Sequence, residues 1–461
     1  MGARRVEETR ARDDLDMYLD SRSGRSLKPN VLWTLIGSGT YQGAQFLMIA
    51  VLAKLTSPSM VGEYALAFAI CAPAFVLANL NLKAVQATDA KRDYSSADYL
   101  ALRLIMSALA LAVVILAGTA FSPDRSTFLV VLSVGIAKTV ESLSDVTYGL
   151  LQRHERMDLI ARSLILKGVG SLVLFGGAVY LTRQVIWGTV ALAGVWGTVF
   201  ALNDVRVGDR VLRQETGHRD GRGRRPRLLP MVLCPRWDFG TSRRLLWLAL
   251  PLGVVTGVLS LEVNIPRYLV EHYLGRADLG VYAALVYLTT AMTLVIDSMG
   301  QVVCPRMSRL YARGDLEAFH KITAKFLLAN AVVSTACIVI AVFAGRLILD
   351  LVYGPEYAQV GVFALLVTAW AQYAYGSVAG FSLTAARKFR EQVPPLVVST
   401  VSMVVASIFL IPHGLMGAAI ATLIAMVLRS VSQFYVLIKL GLFSVRWEGS
   451  KHGKVAEHYV P

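Results

Sequence analysis

Charged residues are scarce in this chain of 461 residues: they make up 17% of it, whereas 55% of the residues are hydrophobic. A soluble globular chain carries roughly 25% charged residues. Hydrophobic runs of about 20 residues alternate here with short polar connectors, and a helix of about 20 residues crosses the roughly 30 Å hydrocarbon layer of a bilayer. The scarcity of charge therefore excludes an ordinary soluble domain and indicates a polytopic membrane protein.

Cysteine and histidine are rare as well, with four and seven copies. Cys71, Cys304 and Cys337 lie in apolar runs and Cys234 lies in a basic connector, without the paired spacing of a metal site or a disulfide framework. We therefore predict no metal and no cofactor. The formal net charge is +15. Its basic residues lie between hydrophobic spans, as membrane topology requires, so they do not predict nucleic-acid binding.

Hydropathy predicts an all-α integral membrane protein of about twelve transmembrane helices. The predicted spans lie near 31–53, 61–82, 99–121, 127–151, 159–181, 185–202, 245–270, 279–303, 324–344, 358–384, 394–411 and 415–438. The first span lacks a cleavage site and is expected to be retained. Basic residues concentrate in alternate connectors, so the positive-inside rule predicts that both termini are cytoplasmic.

The domain organisation follows from the longest polar stretch, which divides the spans into six and six. We predict a polar tail at 1–29, a first lobe at 30–203, a basic connector at 204–244, a second lobe at 245–440 and a tail at 441–461. A solvated linker near anionic headgroups is the expected role of the connector, and partner binding is the alternative.

The two halves resemble each other. The segment 61–66 (VGEYAL) corresponds to 279–284 (LGVYAA), and both segments follow the first span of a half. Asp98-Tyr99 likewise corresponds to Glu317-Ala318-Phe319, and 186–188 corresponds to 412–414. Three ordered matches at a near-constant offset predict two pseudo-symmetric six-helix lobes around a central cleft, an architecture typical of transporters that alternate access.

The chain resembles the Wzx-like polysaccharide biosynthesis flippases of the multidrug/oligosaccharidyl-lipid/polysaccharide (MOP) exporter superfamily. The motifs that carry this resemblance are LAKLTSPSMVGEY at 52–64, GLLQR at 149–153, NIPRY at 264–268, YGPEY at 353–357 and PHGLMGAA at 412–419. Together they span roughly residues 30 to 440.

This resemblance implies a bacterial inner-membrane flippase. Its cargo would be an undecaprenyl-pyrophosphate-linked oligosaccharide of O-antigen, capsule or exopolysaccharide, moved from the cytoplasmic to the periplasmic leaflet. Polysaccharide polymerase or export machinery would be its protein partners. The family works without ATP hydrolysis, and the sequence has no G-x-x-x-x-G-K-[ST] loop. The driving force would then be an H⁺ or Na⁺ gradient, the membrane potential or downstream consumption of the product.

Three alternatives stay open at this point. A small-molecule or drug exporter related to the MATE transporters would share the architecture. A membrane glycosyltransferase or polymerase would require an extended outer loop with acidic or arginine clusters, and the predicted outer loops, such as 54–60 and 182–184, are short. A scaffold that transports nothing would tolerate the loss of charges within its spans.

A polar stripe in the fourth span supplies the first candidate residues. Lys138, Glu141, Asp145, Tyr148 and Gln152 recur at steps of three and four, so they share one helical face. A charged side chain costs about 2.5–3.5 kcal/mol at mid-bilayer, which makes a lipid-facing stripe prohibitive. We predict that Lys138 and Tyr148 bind cargo and that Glu141 or Asp145 binds the coupling ion. The alternative is that Lys138 only neutralises the two carboxylates.

The seventh span supplies a second group. Glu262, Asn264 and Arg267 surround Pro266, which is expected to break the helix and free backbone groups for a cavity. Arg267 and Asn264 are predicted to bind the pyrophosphate and sugar, and Glu262 is a further candidate for ion coupling. Snorkelling of Arg267 to the outer headgroups is the alternative.

Several other polar or small residues lie within the spans. Asp297 is a candidate for ion coupling, and Lys54 is a candidate cargo ligand that would meet Arg267, with snorkelling as its alternative. Arg103 and Lys167 lie near predicted cytoplasmic ends, where anchoring to headgroups is expected. The pairs Gly39/Gly43 and Gly253/Gly257 have G-x-x-x-G spacing and predict close helix contacts.

Overall fold

The computed structural model describes residues 27–89, 93–121, 124–215 and 233–443. Helices make up its regular secondary structure, and no strand occurs in these segments. The α-helices are α1 Leu27–Leu55, α2 Pro58–Asn79, α3 Leu82–Thr88, α4 Ser96–Phe121, α5 Arg125–Arg153, α6 Met157–Thr182, α7 Val185–Val199, α8 Val205–Glu215, α9 Phe239–Leu274, α10 Arg276–Ala312, α11 Leu316–Phe343, α12 Gly345–Val352, α13 Val360–Ala385, α14 Val393–Leu410 and α15 Leu415–Lys439.

Eleven stretches of helix within the described segments are long and apolar enough to cross a membrane. The span predicted at 279–303 lies inside a further long helix, α10, which has 37 residues. Large apolar side chains on these helices point outward, among them Leu181, which is 81% exposed, and Phe343, which is 85% exposed. Such exposure is expected where lipid is the solvent. The all-α membrane fold is therefore confirmed, with a number of spans close to the predicted twelve.

The chain forms two compact units. The first unit comprises residues up to Ala284 together with Val352–Glu356, and the second comprises Leu285–Leu351 and the residues from Tyr357 onward. The first unit thus includes α9 and the first residues of α10. The lobe boundaries deduced from the internal repeat stay a prediction.

The first unit is built on close contacts at glycines. Helix α1 packs along α6, where a Cβ atom added to Gly37 would lie 2.6 Å from the Cα of Ala161. Gly253 and Gly257 of α9 pack on Leu80 and Leu77, so the close contact predicted for that pair is confirmed.

The close contact predicted for Gly39 and Gly43 is wrong, because a Cβ atom at either position would meet no atom within 4 Å. The face of α1 that contacts α6 carries Gly37 and Tyr41 instead, and Gly168 of α6 lies against the backbone of Tyr41. G-x-x-x-G spacing permits a close approach, but the packing of the neighbouring helix decides which face is used.

The helix break predicted at Pro266 is also wrong. Helix α9 continues from Phe239 to Leu274 and contains both Pro251 and Pro266. Each proline removes one backbone N–H donor, a loss that neighbouring helices and local adjustments offset in membrane proteins.

The predicted connector begins inside a helix. A π-helical turn at Phe200–Asp204 continues into α8, and the side chain of Asp204 is buried. The expected solvated linker is therefore wrong for this first part. The arginines at 219, 222, 224, 225 and 227 lie outside the described residues, so the role of that stretch stays a prediction.

A membrane-embedded polar network as the candidate functional site

The polar stripe of the fourth span lies on α5, an unbroken helix of 29 residues. Lys138 Nζ forms an ion pair with Glu141 Oε2 at 2.7 Å. The hydroxyl of Tyr41 on α1 donates a hydrogen bond of 2.8 Å to Glu141 Oε1. Lys138 Nζ also lies 5.5 Å and 5.6 Å from the ring centroids of Phe68 and Trp196. Lys138 therefore neutralises Glu141 inside an aromatic enclosure, as one of the two interpretations of the stripe expects.

A second ion pair lies deeper in the same unit. Lys167 Nζ on α6 is 3.0 Å from Asp204 Oδ2, and the two side chains are 2% and 1% exposed. Lys167 Nζ also donates to Ser144 Oγ at 2.6 Å and to the hydroxyl of Tyr148 at 3.0 Å. The anchoring role expected for Lys167 is wrong, because its ammonium group is satisfied by buried partners instead of headgroups.

Ser163 links this ion pair to the polar stripe. Its hydroxyl donates to Asp204 Oδ1 at 2.5 Å and lies 2.7 Å from the hydroxyl of Tyr148. Asp204 occupies the last position of the π-helical turn Phe200–Asp204. Single π-turns are rare and often occur at functional sites. Tyr148, a predicted cargo ligand, is thus held between α5, α6 and this turn.

Arg103 of α4 forms the third part of the network. Its side chain is buried, and NH1 donates to the carbonyl oxygen of Asn79 at 3.2 Å and to the Asn79 side-chain oxygen. Ser142 Oγ donates to the same side-chain oxygen at 2.8 Å. The anchoring role expected for Arg103 is wrong as well. Asp145 interacts electrostatically with Arg103 and with Lys83, whose Nζ lies 5.3 Å from the ring centroid of Tyr148.

We define the polar network as the charged side chains of these contacts with the neutral groups that join them. Its cations are Lys83, Arg103, Lys138 and Lys167, and its carboxylates are Glu141, Asp145 and Asp204. All seven belong to membrane-spanning segments. The network therefore contains one cation more than it contains carboxylates. Each of these charges is costly in a bilayer, so charges in such positions are generally either tightly paired or used in a function.

The second predicted group lies on α9. Arg267 NH1 donates to Asn264 Oδ1 at 2.8 Å, and Asn264 Nδ2 donates to the carbonyl oxygen of Ser260 at 2.8 Å. Glu262, Asn264 and Arg267 are all buried. The structure thus brings Arg267 and Asn264 together, as predicted.

Helix α2 packs against both α9 and α5. The hydroxyl of Tyr268 on α9 bonds to the carbonyl oxygen of Ala69, and Cys71 Sγ donates to the carbonyl oxygen of Val131 on α5 at 3.6 Å. Ala69 and Cys71 both belong to α2. This helix therefore joins the Arg267 group to the helix that carries the polar stripe.

Two predicted residues receive no further structural support. Lys54 is exposed at the end of α1. The side chain of Asp297 lies outside the described residues. No group of three or more His, Cys, Asp or Glu side chains in the described segments is arranged to hold a metal ion, and the absence of a cofactor stays a prediction.

An ionic cluster that no sequence pattern predicts lies at the junction of α5, α9 and α10. Arg276 lies 3.0 Å from Asp124 Oδ2 and 3.6 Å from Glu271 Oε1. Asp124 caps α5 by accepting a bond of 2.8 Å from the backbone N–H of Thr127. Hydrogen bonds from the backbone and the side chain of Thr127 lower the pKa of Asp124 below its usual range, and the Arg276 guanidinium lowers it further. These charges lie at the ends of predicted spans, where the positive-inside rule already explains charged residues, so no sequence pattern groups them.

Residues 27–311 match the family described as "Polysaccharide biosynthesis protein". The chain belongs to this family. Its polar network lies entirely within the matched region.

The chain is also similar to the "Capsular polysaccharide biosynthesis protein CapF" of Staphylococcus aureus. It is 23% identical over 394 residues, which cover 85% of this chain and 94% of CapF. The resemblance to polysaccharide biosynthesis proteins that the motifs indicate is confirmed by the family match and by this relative.

Solved structures agree on the fold of this polysaccharide biosynthesis protein. The lipid II flippase MurJ, in an inward closed conformation, gives a TM-score of 0.66 at 12% identity and covers 90% of this chain and 88% of its own. An inward-facing multidrug resistance transporter of the MATE family gives 0.62 at 13% identity and covers 91% and 96%. Both neighbours are transporters, and at this identity the likeness shows a MOP-type fold alone.

Proposed function

We propose that this polysaccharide biosynthesis protein is a flippase for an oligosaccharide linked to a polyprenyl diphosphate, and that it moves its cargo by alternating access. The observation that carries the proposal is the polar network, in which four cations and three carboxylates lie inside membrane-spanning helices. A soluble headgroup with two or more negative charges cannot cross hydrocarbon unaided. A carrier must replace its water with cations and hydrogen-bond donors.

The cargo ligands in this proposal are Lys138, Tyr148, Arg267, Asn264 and Lys54. Lys138 and Arg267 offer the charges, and an arginine can bind a diphosphate through two parallel hydrogen bonds. Tyr148 and Asn264 offer neutral donors of the kind that sugar hydroxyls accept. In the present arrangement Lys138 pairs with Glu141 and Arg267 bonds to Asn264. Cargo binding would exchange these internal partners for the anionic headgroup.

That exchange supplies a means of ion coupling. Protonation of Glu141, or binding of Na⁺ beside it, would cancel the charge that holds Lys138 and would free its ammonium group for the diphosphate. Asp145, Glu262 and Asp297 are the other candidates for the ion site. A ligand shifts a conformational equilibrium only by binding one state more tightly, so ion occupancy must favour one of the two access states.

The remaining features of the proposal concern the cellular setting. The protein would reside in a bacterial inner membrane with both termini in the cytoplasm, and it would deliver O-antigen, capsule or exopolysaccharide units to polymerase or export machinery. Family membership and the many membrane-spanning helices support this setting.

Loss of the protein from its host tests the function. Deletion should cause a polyprenyl-linked repeat unit to accumulate on the cytoplasmic side of the membrane. A glycosidase added to the periplasmic side should then leave the repeat unit uncleaved. Re-expression of the wild type should restore surface polysaccharide. The Arg267→Ala variant should insert into the membrane and fail to restore it, whereas Arg125→Ala, at an exposed arginine, should restore it.

Unchanged surface polysaccharide after deletion, with a raised sensitivity to drugs, would assign the protein to small-molecule export instead. Full rescue by Arg267→Ala would remove Arg267 from the cargo site while leaving the transport proposal in place.

A further inference from the structure

Three arginines near the end of α10 form a separate cationic cluster in the second unit. Arg306, Arg309 and Arg313 follow each other at steps of three and four, which places them on one side of the helix. All three side chains are exposed. Together with Leu310 they line a cavity of about 420 Å³, a volume in the range of small-ligand sites. We call these three residues the arginine cluster.

Within the segments that the structure describes, no carboxylate pairs with the cluster. None of the three guanidinium groups forms an ion pair with a residue in the described parts of the chain. The nearest carboxylates in the sequence are engaged elsewhere: Asp315 accepts a hydrogen bond from the backbone N–H of Ala318 at 3.0 Å, and Glu317 pairs with Lys321 at 2.6 Å. Three neighbouring like charges therefore repel one another and would be stabilised by an external anion.

The backbone beneath the cluster is held in place. Met307, on the opposite side of this part of α10, is fully buried in a core with Phe319 and Leu383. Tyr311 packs on the ring of Phe319 at 6.1 Å between centroids. Gly314, with a φ of 72°, ends the helix in a left-handed turn. The arginines thus project from a fixed platform, which lowers the entropy lost on ligand binding.

Membrane topology and the helix dipole account for positive charge near this helix end, but neither requires three arginines around one cavity. Other basic residues illustrate the contrast. Lys321 pairs with Glu317, and Arg213 pairs with Asp209 at 2.8 Å. Planar guanidinium groups bind phosphate oxygens in pairs, so the choice of arginine over lysine favours a phosphate-bearing ligand.

We propose that the arginine cluster is a binding site for a diphosphate group, distinct from the polar network of the first unit. The identification of the ligand as the diphosphate of a lipid-linked sugar rests on the proposed function. On the predicted topology, Arg306, Arg309 and Arg313 lie at the cytoplasmic face. The site would then capture the headgroup in the leaflet from which translocation starts.

Binding to the purified full-length protein tests this site. The protein is placed in nanodiscs of phosphatidylcholine, and the probe is a fluorescent polyprenyl diphosphate without sugar. The triple variant Arg306→Gln/Arg309→Gln/Arg313→Gln should bind the probe at least about tenfold more weakly than the wild type, since each arginine offers charge-assisted hydrogen bonds. The matched control Arg236→Gln/Arg243→Gln/Arg244→Gln removes the same charge from exposed positions and should bind within about twofold.

Two competitors define the ligand. Inorganic diphosphate that displaces the probe at comparable concentration would show that the anion alone is recognised, and failure to displace it would show that the lipid chain is required. Either result supports a diphosphate site. Equal competition by phosphatidylglycerol, equal binding by the triple variant, or equal loss in the control triple would overturn it.

The same proteins also separate this inference from the proposed function. Probe binding that depends on the arginine cluster, in a protein that does not translocate lipid-linked sugars, would leave the site and remove the function. Translocation by a triple variant with unchanged probe binding would remove the site and leave the function.

Discussion

Gly62 and Gly280 occupy equivalent positions in the two halves of the sequence and lie against each other in the structure. A Cβ atom on Gly62 would overlap the carbonyl group of Arg276, and a Cβ atom on Gly280 would overlap the carbonyl group of Pro58. Pro58 precedes Gly62 by four residues, and Arg276 precedes Gly280 by four. The contact is therefore reciprocal, as at a twofold axis. The internal repeat is thus visible in the packing of α2 against the start of α10.

Alanine at either glycine should destabilise the protein. The added methyl group would be 2.9 Å from the Arg276 carbonyl carbon in Gly62→Ala and 2.8 Å from that of Pro58 in Gly280→Ala. Overpacking of this kind costs about 1–3 kcal/mol. The thermal unfolding midpoint of the purified protein in detergent should fall for both variants. Gly39→Ala, where no atom lies within 4 Å of the new methyl group, should leave it unchanged or higher. Equal midpoints for all three would contradict the contact.

Removal of one partner from the ion pair of Lys167 and Asp204 should destabilise the protein more than removal of both partners. Lys167→Met alone leaves a buried carboxylate without its counter-ion, a loss that costs about 3–5 kcal/mol in soluble proteins. The double variant Lys167→Met/Asp204→Leu removes both charges and should recover a large part of that stability. Unfolding midpoints of the two variants measure the difference. Lys321→Met breaks an exposed pair and is the control, with an expected change near zero. A double variant no more stable than Lys167→Met would contradict the pairing.

Glu141 should connect transport to the driving ion. In Glu141→Gln the side chain no longer holds Lys138 by charge, so cargo binding should persist while the response of transport to a pH or Na⁺ gradient disappears. Transport into vesicles with and without each gradient measures this. Glu317→Gln removes a carboxylate that pairs with Lys321 and does not belong to the polar network, so this variant serves as the control and should keep the response. Wild-type transport at the same rate with and without each gradient would contradict the coupling proposal.

The stability of the protein should depend on pH through the carboxyl group of Asp124. The folded-state pKa of Asp124 lies below the ordinary value of 3.8. Its stabilisation is therefore complete above the unfolded pKa and is lost as the pH falls through the lower, folded pKa. Unfolding midpoints between pH 5 and pH 3 (about the range where this carboxyl titrates) should decrease less for Asp124→Asn than for the wild type. Parallel curves would contradict this assignment.

The membrane-spanning helices and the polar residues within them can be predicted from sequence. A span needs about 20 apolar residues, and a charge inside it is costly enough to stand out. The polar stripe from Lys138 to Tyr148 needs only helical periodicity, and α5 confirms that the face is continuous. The Arg267–Asn264 contact follows from a spacing of three residues on one helix.

The partners of the buried charges and of the glycines depend on tertiary packing, which no local sequence pattern specifies. The sequence predicts Lys167 to be an anchor because its partner, Asp204, lies 37 positions later in a stretch with the composition of a polar connector. The π-helical turn that buries Asp204 has no sequence signature. The misassigned pair Gly39/Gly43 has the same spacing as Gly253/Gly257 but faces away from any neighbour. Spacing therefore located the candidates, and packing selected among them.

Translocation by the purified protein is the decisive test of the proposed flippase function. The wild type is reconstituted in vesicles that contain a fluorescent oligosaccharide linked to a polyprenyl diphosphate, and quencher added outside reports the fraction of headgroups in the outer leaflet. We expect rapid equilibration between leaflets with the wild type and strongly slowed equilibration with Lys138→Met and Arg267→Ala, whereas Arg125→Ala should match the wild type. Equilibration no faster than in protein-free vesicles, under every pH and Na⁺ gradient applied, would contradict it.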